Sequence, residues 1–385
     1  MRNEIEEIPD LLLRVKNSFD KYNDKINLKD FNEIWIVGSG DSHCASLYAA
    51  SLFNQIDISA RAFTSMQLSK FHFFSKKIKP CLIAISVSGK TPRVLEGVKK
   101  FKHHYPSQTI IGLTDNPHSP LYQQADIKIL IGASPAETLV YDENRNSVVK
   151  EYDGYQNPIP QTKTYFMNII WLTYLAFFLN DDLEIFYKLY DDLNKDFGNW
   201  IKNSEQWVNS HSIAFPRKTI FVASNIFRSL AQFGAYKWFE FTYVGLDQDI
   251  EEYAHTHYFT TESNTSIIFF SPIKSHFSRI KEILDGALVN LIKPEIFLLL
   301  GNVFDSKDYH EYSNQNIFQV PNTFKIDNKI VLEVYNYFYL MIPVFWFMYY
   351  TARKQGFDTN RFRGGKDVEK YIIGSLSTIR KSKIE

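Results

Sequence analysis

A short run of small hydroxyl residues stands where a predicted strand turns into a predicted helix. It reads Ser86-Val-Ser-Gly-Lys-Thr91 and follows the apolar run from Cys81. A helix N-terminus offers unpaired N–H donors and the positive end of the helix dipole, and hydroxyl side chains can bind the same anion. A phosphate monoester is therefore a natural ligand. Alternatively, Ser88 or Thr91 only caps the helix and Gly89 only turns the chain; the loop alone leaves both interpretations open.

Two common nucleotide-binding motifs do not fit the glycine loops. Lys90 is not a Walker A lysine, because GxxxxGK[ST] is absent. The turn Gly38-Ser-Gly-Asp-Ser42 begins like the dinucleotide motif GxGxxG, but His43 stands where the third glycine belongs. Ser42 still opens a predicted helix at the carboxyl end of a strand, where open α/β sheets bind ligands.

The second half of the chain contains two further groups of chemically active residues. Lys237 and Glu240 lie three apart on one predicted helix, a spacing that taken alone is typical of a solvated ion pair. Glu251 is followed closely by His255 and His257. We predict no metal site there, because HExxH is absent and no third ligand has motif spacing.

The elements that position these residues alternate between strand-length apolar runs and helical periodicity, which predicts an α/β fold with parallel sheets covered on both faces. The predicted strands are Glu33 to Val37, Cys81 to Ser86, Thr109 to Thr114, Ile127 to Ala133, Thr219 to Ser224, Ser266 to Ser271, Glu295 to Gly301 and Asn316 to Pro321. The predicted helices are Ser42 to Phe53, Lys90 to His104 with Pro92 in its first turn, the region Gln161 to Ser210, Arg228 to Val244, Phe277 to Leu291, and a last helix through Tyr350.

The same order of elements occurs twice, which predicts two related α/β units. The expected boundaries are an N-terminal helix over 1–24, a first unit over 25–180, a helical connector over 181–210, a second unit over 211–352 and a tail over 353–385.

The composition excludes several classes of protein. The 385 residues include 43 basic and 43 acidic side chains, so no bulk field attracts nucleic acid or an anionic membrane. The two cysteines, Cys44 and Cys81, support neither a disulfide framework nor a zinc site. The acidic N-terminus does not fit a secretory signal. We therefore expect a reduced, cytoplasmic location and neither a nucleic-acid nor a membrane partner.

Two apolar stretches are too short to cross a membrane. The stretch Tyr337 to Tyr350 has fourteen residues and contains Pro343, and Phe166 to Leu179 is of similar length. A membrane-spanning helix needs about 20 apolar residues. Both stretches are predicted to be buried core helices.

In combination, these segments resemble the sugar isomerase (SIS) domain family over about residues 30 to 370, with the tandem plan of the isomerase half of glucosamine-6-phosphate synthase. Gly38 to Ser42 is similar to the family's first loop and Ser86 to Thr91 to its S-x-S-G-x-T phosphate loop. Gln161-Thr-Lys163 resembles the start of its long helix. The implied fold is two tandem flavodoxin-like three-layer sandwiches, each a mostly parallel sheet between helices.

The second half extends the resemblance. Lys237-Trp-Phe-Glu240 is similar to the family's K-x-x-E segment and Glu252-Tyr-Ala-His255 to its E-x-x-H segment, while Gly356, Arg363 and Lys366 resemble its tail. The implied catalytic residues are Glu240, His255, Lys366 and Lys237. The implied substrate-binding residues are Gly40, Asp41, Ser42, Ser86, Val87, Ser88, Gly89, Thr91, Gln161 and Thr162.

The resemblance implies a phosphosugar isomerase that interconverts the aldose and ketose forms of a hexose 6-phosphate or amino-hexose 6-phosphate through an enediol or enolamine. Glu240 would carry the proton between C1 and C2, and His255, from the partner in a homodimer, would assist ring opening. Lys237 and Lys366 would stabilise negative charge, a Schiff base at Lys366 being a further option. No cofactor or metal is implied. An amino-sugar-phosphate deaminase or fructosamine-6-phosphate deglycase, and a non-catalytic sugar-phosphate sensor, are the alternatives.

This sequence also departs from the synthase pattern. Val87 stands where the synthase has glutamine, Asp41 where it has threonine and Lys90 where it has glutamate. No glutaminase domain precedes the first unit, so we expect no glutaminase activity. The second half has Ser271-Pro-Ile-Lys, without the loop glycine, and we therefore expect one sugar-phosphate site per chain.

Overall fold

The computed structural model describes residues 1–23, 31–133, 138–142, 147–151, 160–241, 243–324 and 326–367. Within these ranges the strands are β1 Glu33–Gly38, β2 Ala60–Thr64, β3 Pro80–Ile85, β4 Ile110–Thr114, β5 Ile127–Leu130, β6 Thr138–Asp142, β7 Ser147–Glu151, β8 Thr219–Val222, β9 Gly245–Gln248, β10 Ser266–Ser271, β11 Glu295–Leu300 and β12 Asn316–Gln319. The helices are α1 Arg2–Glu6, α2 Ile8–Asn23, α3 Asp41–Gln55, α4 Pro92–His104, α5 Pro120–Gln124, α6 Lys163–Leu179, α7 Leu183–Ser210, α8 Phe227–Glu240, α9 Ile250–His255, α10 Lys274–Ile283 and α11 Lys329–Lys354.

The strands form two parallel five-stranded sheets and one antiparallel hairpin of β6 and β7. The first sheet has the order β2-β1-β3-β4-β5, and the second, read from its other edge, has the order β9-β8-β10-β11-β12. Counted from its own first strand, each sheet is 2-1-3-4-5, the flavodoxin-like order. Such sheets bind ligands at the carboxyl ends of their first and third strands, where the strand order reverses. The predicted α/β fold is confirmed.

The first sheet is covered on both faces because alternate side chains of a strand point to opposite sides. In β1, Ile34 and Ile36 join the large core that contains α3 and α6, whereas Trp35 and Val37 join a smaller core with α4. Every residue of β1 is buried, as expected for a central strand of a parallel sheet.

Three features of the fold were not predicted from the sequence. The strands β2 and β9 are short edge strands with partly exposed residues, so neither has the continuous apolar run of the central strands. The hairpin of β6 and β7 was also missed. Helix α8 ends at Glu240, four residues before the predicted end at Val244, because the chain turns there to enter β9.

The 26-residue helix α11 lies inside the core. By length and composition it passes as a membrane span, but 89% of its most apolar window is buried within the protein. The side chain of Asn328 caps its N-terminus by accepting hydrogen bonds from the N–H groups of Ile330 and Val331. The predictions of core helices at Tyr337 to Tyr350 and Phe166 to Leu179 are confirmed, since both stretches lie in long buried helices.

A buried hydroxyl cluster joins the two units. The hydroxyl groups of Tyr165 on α6 and Tyr337 on α11 are 2.6 Å apart, and that of Ser229 on α8 is 2.7 Å from Tyr337. Because all three residues are shielded from water, the two tyrosine hydroxyls depend on these contacts for hydrogen bonds, whereas Ser229 also donates to the Ile226 carbonyl.

We expect Tyr337→Phe to lower the free energy of unfolding by about 1–3 kcal/mol, because it leaves a buried hydroxyl without a partner. The double variant Tyr165→Phe/Tyr337→Phe should regain part of the lost stability, since it also removes the Tyr165 hydroxyl that the single variant leaves without a partner. Chemical denaturation measures both effects, and equal losses in the single and double variants would contradict this account.

Candidate active site

The loop after β3 folds as a compact turn that holds its hydroxyl groups together. The Ser86 and Thr91 hydroxyls are 2.9 Å apart, the Gly89 N–H donates to the Ser86 carbonyl at 2.9 Å, and the Lys90 N–H donates to the Ser88 hydroxyl at 3.2 Å. Gly89 has a φ of +64°, and a Cβ there would lie 2.0 Å from the Ser119 Oγ. Only glycine fits this position without movement of the loop.

This loop and the loop after β1 emerge side by side. Val37 of β1 pairs with Ala84 of β3, so the two strands end at the same level. Between the loops lies a cavity of about 160 Å³, at the point where the strand order of the first sheet reverses. It is lined by Ser39, Asp41, Ser42, Ile85, Ser86, Val87, Ser88, Thr91, Gln161, Thr164 and Asn168.

Seven of the ten predicted substrate-binding residues line this cavity. The three that do not are Gly40, Gly89 and Thr162. Both glycines have positive φ and shape the two loops through their backbone. Thr162 is directed elsewhere, because its N–H and its hydroxyl both donate to Glu4 Oε2, at 2.7 and 3.3 Å.

Ser39, Thr164 and Asn168 line the cavity but were missed from the sequence. Asn168 Oδ1 is buried and has no hydrogen-bond partner among the described residues, which leaves an acceptor near the cavity. A signal was present: Thr164 and Asn168 are four residues apart and share one face of the mostly apolar helix α6.

The second half of the chain reaches the cavity through Lys237. Its side chain is 1% exposed, and its Nζ lies 2.6 Å from Asp41 Oδ2 and 2.7 Å from Glu240 Oε1. Asp41 itself lines the cavity. The three charges therefore form a chain from the start of α3, at the edge of the cavity, to the end of α8 in the second unit, although Lys237 and Glu240 are not lining residues. The interpretation of Lys237 and Glu240 as a solvated surface pair is wrong.

The electrostatics of this group favour a cationic lysine beside a weakly acidic carboxyl. Burial alone would lower the pKa of Lys237, but Asp41 and Glu240 together raise it above its ordinary value. Burial raises the pKa of Glu240 to about 8; Lys237 opposes this shift and the Asp41 carboxylate adds to it. Glu240 Oε2 is buried and has no hydrogen-bond partner among the described residues, so this oxygen is available to accept a proton.

The other two predicted catalytic residues lie at the surface. The side chain of His255, at the end of α9, is 67% exposed, with its Nε2 3.1 Å from Glu251 Oε1. The Nζ of Lys366 lies 4.7 Å from the centre of the Phe357 ring, which packs near Phe241 just after Glu240. Within the chain, neither residue lines the phosphate-loop cavity. In the described residues, no group of three or more His, Cys, Asp or Glu side chains is arranged to hold a metal ion.

Comparisons with known proteins agree with this geometry. The family model "SIS domain" matches residues 27–141, which contain both loops of the cavity. A glutamine–fructose-6-phosphate aminotransferase (isomerizing) from Sulfolobus acidocaldarius is 32% identical over 114 residues. The matched segment is 29% of this chain but only 18% of that enzyme's length.

Solved structures share the fold over nearly the whole chain. The C-terminal domain of glucosamine-fructose-6-phosphate aminotransferase from Francisella tularensis is 17% identical with a TM-score of 0.73, covering 94% of this chain and 97% of that one. Tagatose-6-phosphate ketose/aldose isomerase from Escherichia coli is 15% identical with a TM-score of 0.68, covering 92% of each chain. The chain therefore contains a SIS domain over residues 27–141 and has the two-sheet fold of these structures.

Proposed function

We propose that this protein is a phosphosugar isomerase, which converts between the aldose and ketose forms of a hexose 6-phosphate or an amino-hexose 6-phosphate. The observation that carries the proposal is the contact of Asp41 with Lys237, which links the hydroxyl-lined cavity to the carboxyl of Glu240. A sugar whose phosphate lies in the loop then has its reacting carbons directed towards an acid–base group.

The phosphate-binding role rests on the cavity loop. Ser86, Ser88 and Thr91 line the cavity, and Pro92 begins α4 directly after them, so the free N–H groups of that helix point towards the loop. Binding energy from a phosphate held there positions carbons that are several bonds away.

Glu240 takes the central step. Its carboxylate removes the proton from C2 of the open-chain aldose, which gives an enediol, and returns a proton to C1, which gives the ketose. The reverse direction begins at C1. A carboxyl with a pKa near 8 is a stronger base than an exposed carboxylate, and it is still partly ionised at neutral pH. Lys237, held as a cation by two carboxyl groups, stabilises the negative charge that develops on the intermediate.

His255 and Lys366 complete the proposed site. His255 opens the sugar ring, and since its side chain is exposed and lies outside the cavity of its own chain, we place it in the site of the second subunit of a homodimer. Lys366 closes over the sugar from the tail. A cytoplasmic location is part of this proposal.

Incubation with candidate substrates tests the reaction. Conversion of fructose 6-phosphate to an aldose 6-phosphate in the absence of a nitrogen donor supports the isomerase. Release of ammonia from glucosamine 6-phosphate supports a deaminase instead, which uses the same proton transfers. If the protein binds either sugar phosphate but converts neither, with or without ammonium, the result would indicate a non-catalytic sensor and contradict the proposal.

We expect Glu240→Gln to abolish exchange of solvent deuterium at C1 or C2, since general bases contribute about 100-fold or more to such rates. Binding of the sugar phosphate should be nearly unchanged.

In the wild type, exchange should rise with pH and level off above about 8, as the Glu240 carboxyl ionises. Asp41→Asn should move that rise to lower pH, because the Asp41 carboxylate raises the pKa of Glu240.

Mass spectrometry of the recovered sugar measures this exchange. Glu282→Gln is the matched control: Glu282 is an exposed glutamate that pairs with Arg279 at 2.6 Å, and its variant should exchange at the wild-type rate. Exchange by Glu240→Gln at the rate of the control would remove Glu240 from the mechanism.

The phosphate loop can be tested at its glycine. Gly89→Ala adds a Cβ that would lie 2.0 Å from Ser119 Oγ, at a backbone φ of +64°. We expect the loop to move, and restoring its native shape on binding, at about 1–3 kcal/mol, lowers phosphate affinity about 5- to 150-fold. Gly198→Ala is the control, since Gly198 lies in α7 outside the cavity and its added Cβ would meet only Pro9 Cγ, at 3.9 Å. Calorimetry with inorganic phosphate measures the affinity of each variant, and equal affinities in the two would contradict a phosphate-binding role for the loop.

The placement of His255 across a dimer predicts complementation. Neither Glu240→Gln nor His255→Ala should be active alone, but a mixed dimer has one site with Glu240 from one chain and His255 from the other. Statistical exchange of subunits in a two-fold dimer should restore about a quarter of the wild-type sites. If His255 works within its own chain, mixing restores nothing.

A further inference from the structure

We propose that a second cavity, beside helix α4, binds a nucleoside phosphate. This cavity has a volume of about 470 Å³ and lies between helix α4 and the segment 69–74, which precedes β3. It shares no lining residue with the phosphate-loop cavity. Its volume is within the usual range for small-molecule sites, roughly 300–1,000 Å³.

The walls of this cavity carry an excess of positive charge, although the chain as a whole is neutral. Its charged lining residues are Lys70, Lys99, Lys100 and Glu96, with a net charge of two positive while the imidazoles are neutral. Glu96 is buried and already lies 2.9 Å from the Nζ of Lys70. Lys99 has no carboxylate within 4 Å of its Nζ in the part of the chain that the structure describes, so its ammonium is available to an anion.

The same cavity presents flat aromatic surfaces. Phe73 is 84% exposed, so the face of its ring is accessible to a ligand in the cavity. Beside it, the Phe74 ring stacks on the His104 imidazole at 4.5 Å and 15°. His72, also in the lining, has a buried Nε2 without a hydrogen-bond partner among the described residues. Exposed rings of this kind bind nucleobases by stacking.

The combination of rings and lysines selects the class of ligand. An inorganic phosphate or a sugar phosphate would use the lysines but would leave Phe73 uncovered. A neutral aromatic compound would cover the ring but would not compensate the charge of Lys99; Lys100 already pairs with Glu96 at 3.7 Å. A nucleoside monophosphate does both, since its base has a π-face for stacking and its phosphate is close to a dianion at neutral pH.

The direct test is calorimetry of the whole chain carrying Gly89→Ala, which disrupts the proposed phosphate loop, with AMP, adenosine and inorganic phosphate. We expect saturable binding of one AMP per chain, about tenfold or more tighter than either fragment, because stacking and charge contribute together. Affinity should fall as salt is raised. Failure of AMP to bind at millimolar concentration, or equal binding of inorganic phosphate, would overturn the proposal. Tighter binding of a single-stranded oligoadenylate than of AMP would replace it with a nucleic-acid surface.

Two pairs of matched variants locate the site. Lys99→Ala should weaken AMP binding about tenfold, whereas Lys102→Ala, on the same helix but outside the cavity and paired with Asp126 at 2.9 Å, should change it little. Phe73→Ala should weaken binding by a similar factor, whereas Phe71→Ala, an exposed ring that is not part of the lining, should not.

A third variant separates this site from the proposed sugar-phosphate site. Ser88→Ala alters only the phosphate-loop cavity and should leave AMP affinity unchanged. Loss of AMP binding in Ser88→Ala, or equal effects within either matched pair, would overturn the assignment. Neither outcome depends on whether the protein isomerises a sugar, so the two proposals fail independently.

Discussion

The architecture of the candidate site depends on one buried ammonium group. Lys237 is almost fully shielded from water, and a charge in that position is tolerated only when it is paired. Its two partners come from different parts of the fold: Asp41 opens α3 in the first unit, and Glu240 ends α8 in the second. The pairing therefore fixes the second unit against the first, at the place where a ligand of the phosphate loop would react. Removal of either carboxylate would leave the ammonium partly uncompensated.

The two sheets share one topology but differ at the point where the strand order reverses. Each sheet has a crevice where its strand order reverses. In the first sheet the crevice is an open cavity lined by hydroxyl groups. In the second, the loop after β8 carries Asn225, whose side chain donates to Glu333 at 2.6 Å and accepts from Gln55 and Ser51 of the first unit. The loop after β8 in the second unit thus contacts the first unit, whereas the corresponding loop of the first unit borders an open cavity.

Much of the fold follows from local sequence patterns, because buried parallel strands and capped helices are set by neighbouring residues. The loop from Ser86 to Thr91 and its glycine were predictable for that reason. The burial of Lys237 was not, since its spacing from Glu240 is that of an ordinary surface pair and its second partner, Asp41, is almost two hundred residues away. The edge strands β2 and β9 were missed because they are short and half exposed. Contacts between residues far apart in the sequence determine these features, and the periodicity of apolar residues along the chain does not reveal such contacts.

The charges in the site also couple ligand binding to proton binding. A phosphate dianion in the loop brings negative charge close to Asp41, which already raises the pKa of Glu240. By linkage, a bound dianion increases the proton affinity of Glu240 further, and protonation of Glu240 strengthens binding of the dianion. In the proposed isomerisation, the same field would make Glu240 a stronger base towards a carbon-bound proton, because the protonated product of that transfer is the form that the field favours. Lys237 limits the effect, since its positive charge stabilises the carboxylate and keeps a fraction of Glu240 ionised before the reaction starts.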